Sequence, residues 1–131
     1  MRATVVDASA LAAVLFDEPE AAPVVASLSG KAGKLIASSL LRYEIASVCT
    51  TKLIRQPDRA EEIQARHRLL DALAIDYAEP DWDHLPSLAR RWQLSAYDAA
   101  YLQLALARNA SLVTLDARLA AAWDDATSQH D

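Results

Sequence analysis

"ATVVDASALAAVLF", residues 3–16, passes from a β-branched run at 3–6 into nine residues of helical composition and spacing, with Asp7 at the junction. Val5 and Val6 favour a strand, while Ala and Leu recurring three and four residues apart favour a helix. A strand-to-helix step therefore falls on a single carboxylate.

Moving outward, the step recurs. "KLIA" at 34–37 is a short strand leading to "SSLLRYEIASVCTTKLI" at 38–54, a long helix capped by Ser38 or Ser39. "AIDY" at 74–77 is followed by a helix over 81–92 with Pro86 near its first turn, and "SLVTL" at 111–115 by a closing helix from Asp116 to Trp123. Helices over 20–29, 57–73 and 96–108 complete the chain, and Gly30 and Gly33 flank a short turn. Alternation of this kind predicts an α/β sandwich around a short, mostly parallel sheet, with ligands beyond the carboxyl ends of the strands.

The chain has 131 residues and is 53% hydrophobic, enough to bury a core in one domain without disulfides. A single cysteine, Cys49 in the apolar run "IASVC", excludes a disulfide framework or a cysteine-based metal site and fits a reducing cytoplasm. Asp7 and the early Asp17-Glu18-Pro19 argue against reading the start as a signal peptide, and no apolar run nears a membrane span. With two glycines in the whole chain there is no Gly-rich phosphate loop. The net charge of −5 argues against gripping nucleic acid by bulk electrostatics, but not against reaching phosphates through bound metal ions.

Four acids stand out. Asp7 and Asp116 each follow a strand and precede a helix, so capping alone would explain either. Ser95 and Asp98 have capping-box spacing, yet at about 100° per residue Asp98 falls between Ala105 and Leu102, on an arc shared with Tyr101. Glu44 has no capping role to explain it: it lies inside its helix rather than in the first turn, between Leu40 and Val48 on the wheel. Carboxylates facing a core are costly unless paired, protonated or bound to a cation. Mg²⁺ or Mn²⁺, which favour oxygen ligands, would neutralise such a cluster, and a site of that kind activates water for phosphodiester hydrolysis.

"VVDASALAAVL" (5–15), "LLRYEIASV" (40–48), "LSAYDAAYLQLALA" (94–107) and "LVTLDARLA" (112–120) closely resemble the four acidic motifs of PIN-domain ribonucleases, in particular the VapC-type toxins of toxin-antitoxin pairs. The resemblance implies a PIN-like three-layer sandwich over 1–124, followed by a polar tail at 125–131. It implies that Asp7, Glu44, Asp98 and Asp116 hold Mg²⁺ or Mn²⁺ and that Ser9 and Thr114 support them. It implies hydrolysis of RNA, a tRNA or rRNA loop among the candidates, to a 5′-phosphate and a 3′-hydroxyl. A cognate VapB-like antitoxin and a homodimer follow from the same resemblance, as does the alternative of a PIN-fold module that binds RNA or antitoxin but cleaves poorly. Members commonly add a strand after the last helix; "DDATSQHD" has no strand pattern, so four strands are expected, with a fifth left open.

Among the remaining residues, Lys31, Lys34, Arg42, Lys52 and Arg55 are the candidates for an RNA-backbone path, against the alternative of an ordinary solvated surface. His67, His84 and His130 lie on polar stretches at no metal-ligand spacing and read as surface residues. Cys49 reads as core. Trp82, Trp92, Tyr97, Tyr101 and Trp123 are expected in the core or at an interface rather than stacked on bases. No Asp-x-Asp follows the first strand, which excludes an acidic-site phosphatase.

Overall fold

The computed structural model describes residues 2–29 and 33–128. Four strands, β1 (Thr4–Val6), β2 (Leu35–Ser38), β3 (Ile75–Ala78) and β4 (Ser111–Val113), form one sheet in the order β3-β2-β1-β4, and all three pairings are parallel. Val5 sits opposite both Ile36 and Leu112, and Val6 opposite Val113. The first and last strands of the chain are thus neighbours, and β1 at the centre is buried along its length.

Among the described residues six α-helices connect the strands, α1 (Ala8–Leu15) and α2 (Ala21–Ser29), α3 (Leu41–Arg55) and α4 (Ala60–Arg68), α5 (Leu85–Trp92) and α6 (Ala96–Ala107), and a seventh, α7 (Ala117–Ser128), follows β4. From β1 to β3 the chain steps one way across the sheet and from β3 to β4 it steps back. Right-handed crossovers consequently divide the helices between the two faces. The packing agrees: α1 lies against α2 and α3, and α3 against α4, whereas α6 lies against β1, β2, β4, α5 and α7. Val5, Val6, Ile36, Ala37 and Val113 supply the sheet's buried share of the core, covered by Leu11, Leu41 and Ile45 and by Leu102, Ala105 and Leu119.

The structure differs from the sequence reading at several elements, and β4 stops at Val113 rather than 115. Helix α3 starts at Leu41, because Ser38 turns its hydroxyl onto the Leu40 amide (3.2 Å) in a local turn and no side chain caps the helix. Glu44 therefore stands in the first turn, not inside the helix, where the helix dipole favours a negative charge. The single helix expected over 57–73 is a 3₁₀ turn at Pro57–Arg59, α4, and a second 3₁₀ turn at Leu69–Ala72. Helix α5 begins at Leu85, with Pro86 in its first turn, after a turn in which His84 Nδ1 meets Asp81 Oδ2 at 2.7 Å.

The last helix runs through Ser128, into the segment expected to be tail. Ala126 is buried, and the Thr127 and Ser128 hydroxyls bond back to the carbonyls of Trp123, Asp124 and Asp125. Among the described residues the sheet has four strands. The Gly30–Gly33 turn, apart from Gly33, and His130 lie outside the described residues, as does Lys31. Among the described residues no helix is long and apolar enough to cross a membrane.

Candidate metal centre at the carboxyl edge of the sheet

Parallel strands end on one edge, and each crossover helix that runs back along them begins there. That rule brings together side chains far apart in sequence. Asp7 follows β1, Asp116 lies just past β4, and the first turns of α3 and α6 carry Glu44 and Asp98. The strand order reverses between β1 and β4, which is where an open parallel sheet leaves a crevice for ligands.

Asp7 is 3% exposed and fully engaged. Its Oδ1 accepts the Ser9 hydroxyl at 2.8 Å and the Ala10 amide at 3.0 Å, capping α1, and its Oδ2 accepts the Thr114 hydroxyl at 2.5 Å. The Thr114 hydroxyl in turn accepts the Asp116 amide at 3.0 Å, and Ser9 Oγ accepts that of Leu115 at 3.0 Å. Ser9 and Thr114, expected to support the site, thus tie the end of β4 to the start of α1. Asp116 Oδ1 caps α7 by accepting the Leu119 amide at 2.9 Å.

Capping accounts for one oxygen each of Asp7 and Asp116 and for neither of the other two carboxylates. Ser95 caps α6 by accepting the Asp98 amide at 3.1 Å, but the return bond of a capping box, from the Ser95 amide to the Asp98 carboxylate, is not made among the described residues. Glu44 Oε1 accepts the Tyr101 hydroxyl at 2.7 Å. Beside Glu44 a cavity of about 360 Å³ opens between α1 and α3, lined by Ala8, Ser9, Ser47, Val48 and Thr51.

Burial is the main reason the carboxyl pKa values of Asp7, Glu44 and Asp98 are raised, and neighbouring acids raise them further. Asp116 acts on Asp7; Asp7 and Asp98 act on Glu44; Asp116 and Asp7 act on Asp98. Hydroxyl and amide donors offset part of the effect, but no lysine or arginine is among the charges acting on these three. Oxygen donors that are mutually repelling and without a cation suit Mg²⁺ or Mn²⁺ in type. Among the described residues no three His, Cys, Asp or Glu side chains are grouped so as to hold an ion directly. Mg²⁺ keeps several waters and commonly needs only one or two carboxylates in contact, so the donor set fits a partly hydrated ion.

The described basic candidates, Lys34, Arg42, Lys52 and Arg55, are not brought together. Lys34 precedes β2 at the opposite edge of the sheet, 3.8 Å from Asp76. Lys52 and Arg55 occupy the far end of α3, Lys52 paired with Glu18 at 2.5 Å. Only Arg42 stands at the edge with the acids, paired with Asp71 at 2.9 Å. Of the aromatics, Tyr101 is in the core, Trp92 and Trp123 are half-buried against it, and Tyr97 and Trp82 are each 60% exposed. Cys49 is buried. The sequence reading missed that Tyr101 reaches Glu44. The available signal was its place three residues after Asp98 on the same helical arc.

Residues 4–123 match the family model of the PIN domain. No curated protein sequence matches the chain. Among solved structures it is similar to PAE2754 from Pyrobaculum aerophilum, at 23% identity and a TM-score of 0.70, with 98% of this chain and 88% of that one covered. It is also similar to VapC20 from Mycobacterium tuberculosis, a sarcin-ricin loop cleaving toxin, at 18% identity and a TM-score of 0.63, with 91% and 94% covered. At these identities the likeness carries the fold.

Proposed function

The chain belongs to the PIN domain family, and from that premise we propose that it is a metal-dependent endoribonuclease acting as the toxin of a toxin-antitoxin pair. The observation that carries this reading is electrostatic: the charges acting on Asp7, Glu44 and Asp98 are those of fellow acids, Asp116 among them. Asp7, Glu44, Asp98 and Asp116 would hold Mg²⁺ or Mn²⁺. When bound, such an ion supplies a nucleophilic water at neutral pH and neutralises charge on phosphoryl oxygens.

The chain's own residues do the remaining work. Ser9, Ala10 and Thr114 fix the Asp7 carboxylate from three sides, so it needs no reorganisation when substrate arrives. The buried sheet end behind it excludes water from one side. In the reaction, a water oxygen bonds to phosphorus as the bond from phosphorus to the 3′-oxygen breaks. One water proton ends on the 3′-oxygen, leaving a 3′-hydroxyl and a 5′-phosphate. The substrate is a structured RNA such as a tRNA or rRNA loop, and a VapB-like antitoxin and a second copy of the chain are the protein partners. Cytoplasmic location is part of the same reading.

The test is RNA cleavage by the purified protein with Mg²⁺ or Mn²⁺. Excess EDTA should abolish cleavage, and Asp7→Asn and Asp98→Asn should lose about 100-fold or more while circular dichroism still reports the fold. Unchanged cleavage by both variants overturns the proposal. A second reading, a PIN-fold module that holds RNA or antitoxin and cleaves poorly, is favoured by the lack of any three acids grouped for direct metal contact among the described residues. Growth arrest that survives Asp98→Asn would select it.

A further inference from the structure

Tyr101 lies on α6, three residues after Asp98; the residue is 1% exposed and packed in the main core. Its hydroxyl donates a hydrogen bond to Glu44 Oε1 on α3, across 57 positions of sequence, at 2.7 Å. Among the described residues this is the only hydrogen bond the Glu44 side chain makes, and Glu44 has no ion pair there.

The two side chains differ in freedom. A buried tyrosine has two torsions, both fixed here by close packing. A half-buried glutamate has three, and among the described residues no second hydrogen bond and no ion pair helps to select its rotamer. The phenol has one proton and commits it to Oε1, so Oε2 remains as the oxygen with no donor on it. Because Tyr101 and Asp98 share the first turns of one helix, the bond also sets the Glu44 carboxylate relative to Asp98.

We propose that Tyr101 is a positioning residue: it fixes the Glu44 carboxylate through Oε1 so that Oε2 is presented to the divalent ion. This rests on the metal-dependent reading above. Partners that orient a metal ligand commonly contribute about 10- to 100-fold in metal affinity or activity. A tyrosine that merely fills the core would contribute to melting temperature and not to metal affinity.

The experiment is Mn²⁺ titration of the full chain followed by electron paramagnetic resonance of free Mn²⁺. Tyr101→Phe should weaken Mn²⁺ binding about tenfold or more. The Mn²⁺ concentration for half-maximal RNA cleavage should rise by the same factor, with kcat at saturating Mn²⁺ close to wild type. In a Glu44→Gln background, Tyr101→Phe should change Mn²⁺ affinity no further. Should phenylalanine impair folding, 4-fluorophenylalanine at position 101, close in shape to tyrosine and lacking the proton, should give the same loss. Folded variants that bind Mn²⁺ as wild type does overturn the inference alone. A wild-type chain that binds no Mn²⁺ overturns the metal-dependent reading and this inference with it.

Discussion

The Thr114 hydroxyl stands 2.5 Å from Asp7 Oδ2 and 3.0 Å from the Asp116 amide, linking the ends of β1 and β4 through one oxygen. One threonine thereby fixes a buried carboxylate and the backbone that carries a second one. Thr114→Val keeps the shape and removes both interactions. It should destabilise the fold by about 1–3 kcal/mol, measured by urea unfolding, and lower RNA cleavage because the Asp7 carboxylate loses a donor. Thr114→Ser, which keeps the hydroxyl, should restore most of both.

Asp7→Asn tests whether the site is built at the expense of the fold. Burial is the largest influence on the Asp7 carboxyl, and it disfavours the charged form. An amide at position 7 still accepts from Ser9 and Ala10 and can donate to the Thr114 oxygen. The variant should gain stability on the order of 1 kcal/mol at neutral pH, read as a rise in melting temperature in chelator. Millimolar Mg²⁺ should raise the wild-type melting temperature and leave that of Asp7→Asn nearly unchanged.

The pH dependence has a defined sign. Asp7, Glu44 and Asp98 have raised carboxyl pKa values in the folded protein, so between the ordinary carboxylate values and these raised ones the folded chain holds protons that the unfolded chain has released. Their contribution to stability therefore falls as pH rises through that window and stays at its least favourable above it. In chelator, the stability difference between wild type and Asp7→Asn should grow as pH is raised above the ordinary carboxylate range and level off once the raised value of Asp7 is passed. Cleavage should move the other way: because protons compete with the ion, it should begin to fall on acidification above the pH at which free carboxylates titrate.

Ser95→Ala separates the helix from its chemistry. Loss of the cap on α6 should cost roughly 0.5–2 kcal/mol of stability by thermal unfolding. Cleavage at 25 °C should stay within a few-fold of wild type, because Asp98 keeps its place in the first turn. A loss as complete as that of Asp98→Asn would give Ser95 a direct part in the site.

Local rules carried the sequence reading a long way. The alternation of strands and helices, Asp7 and Asp116 at strand ends, and the Ser95 cap all depend on neighbours within about four residues. Those neighbours are visible in the string. Where a local competitor existed, the reading failed: Ser38 drew the Leu40 amide into a turn and delayed α3 by one or two residues, which moved Glu44 into a first turn. The proline at 57 and the 3₁₀ turns at each end shortened α4 for a similarly local reason, one that periodicity does not resolve.

By itself, the sequence determined that this protein is an α/β chain with acids at its strand-to-helix steps, because periodicity and capping are written in adjacent residues. Only the tertiary structure decided which acids share an environment and what holds them. Thr114 reaches Asp7 across 107 positions and Tyr101 reaches Glu44 across 57. The scattering of Lys34, Lys52 and Arg55 away from the acids was decided the same way. The reason is the strand order: pairing β1 with both β2 and β4 brings the carboxyl ends of the first and last strands side by side, and no local pattern encodes that pairing.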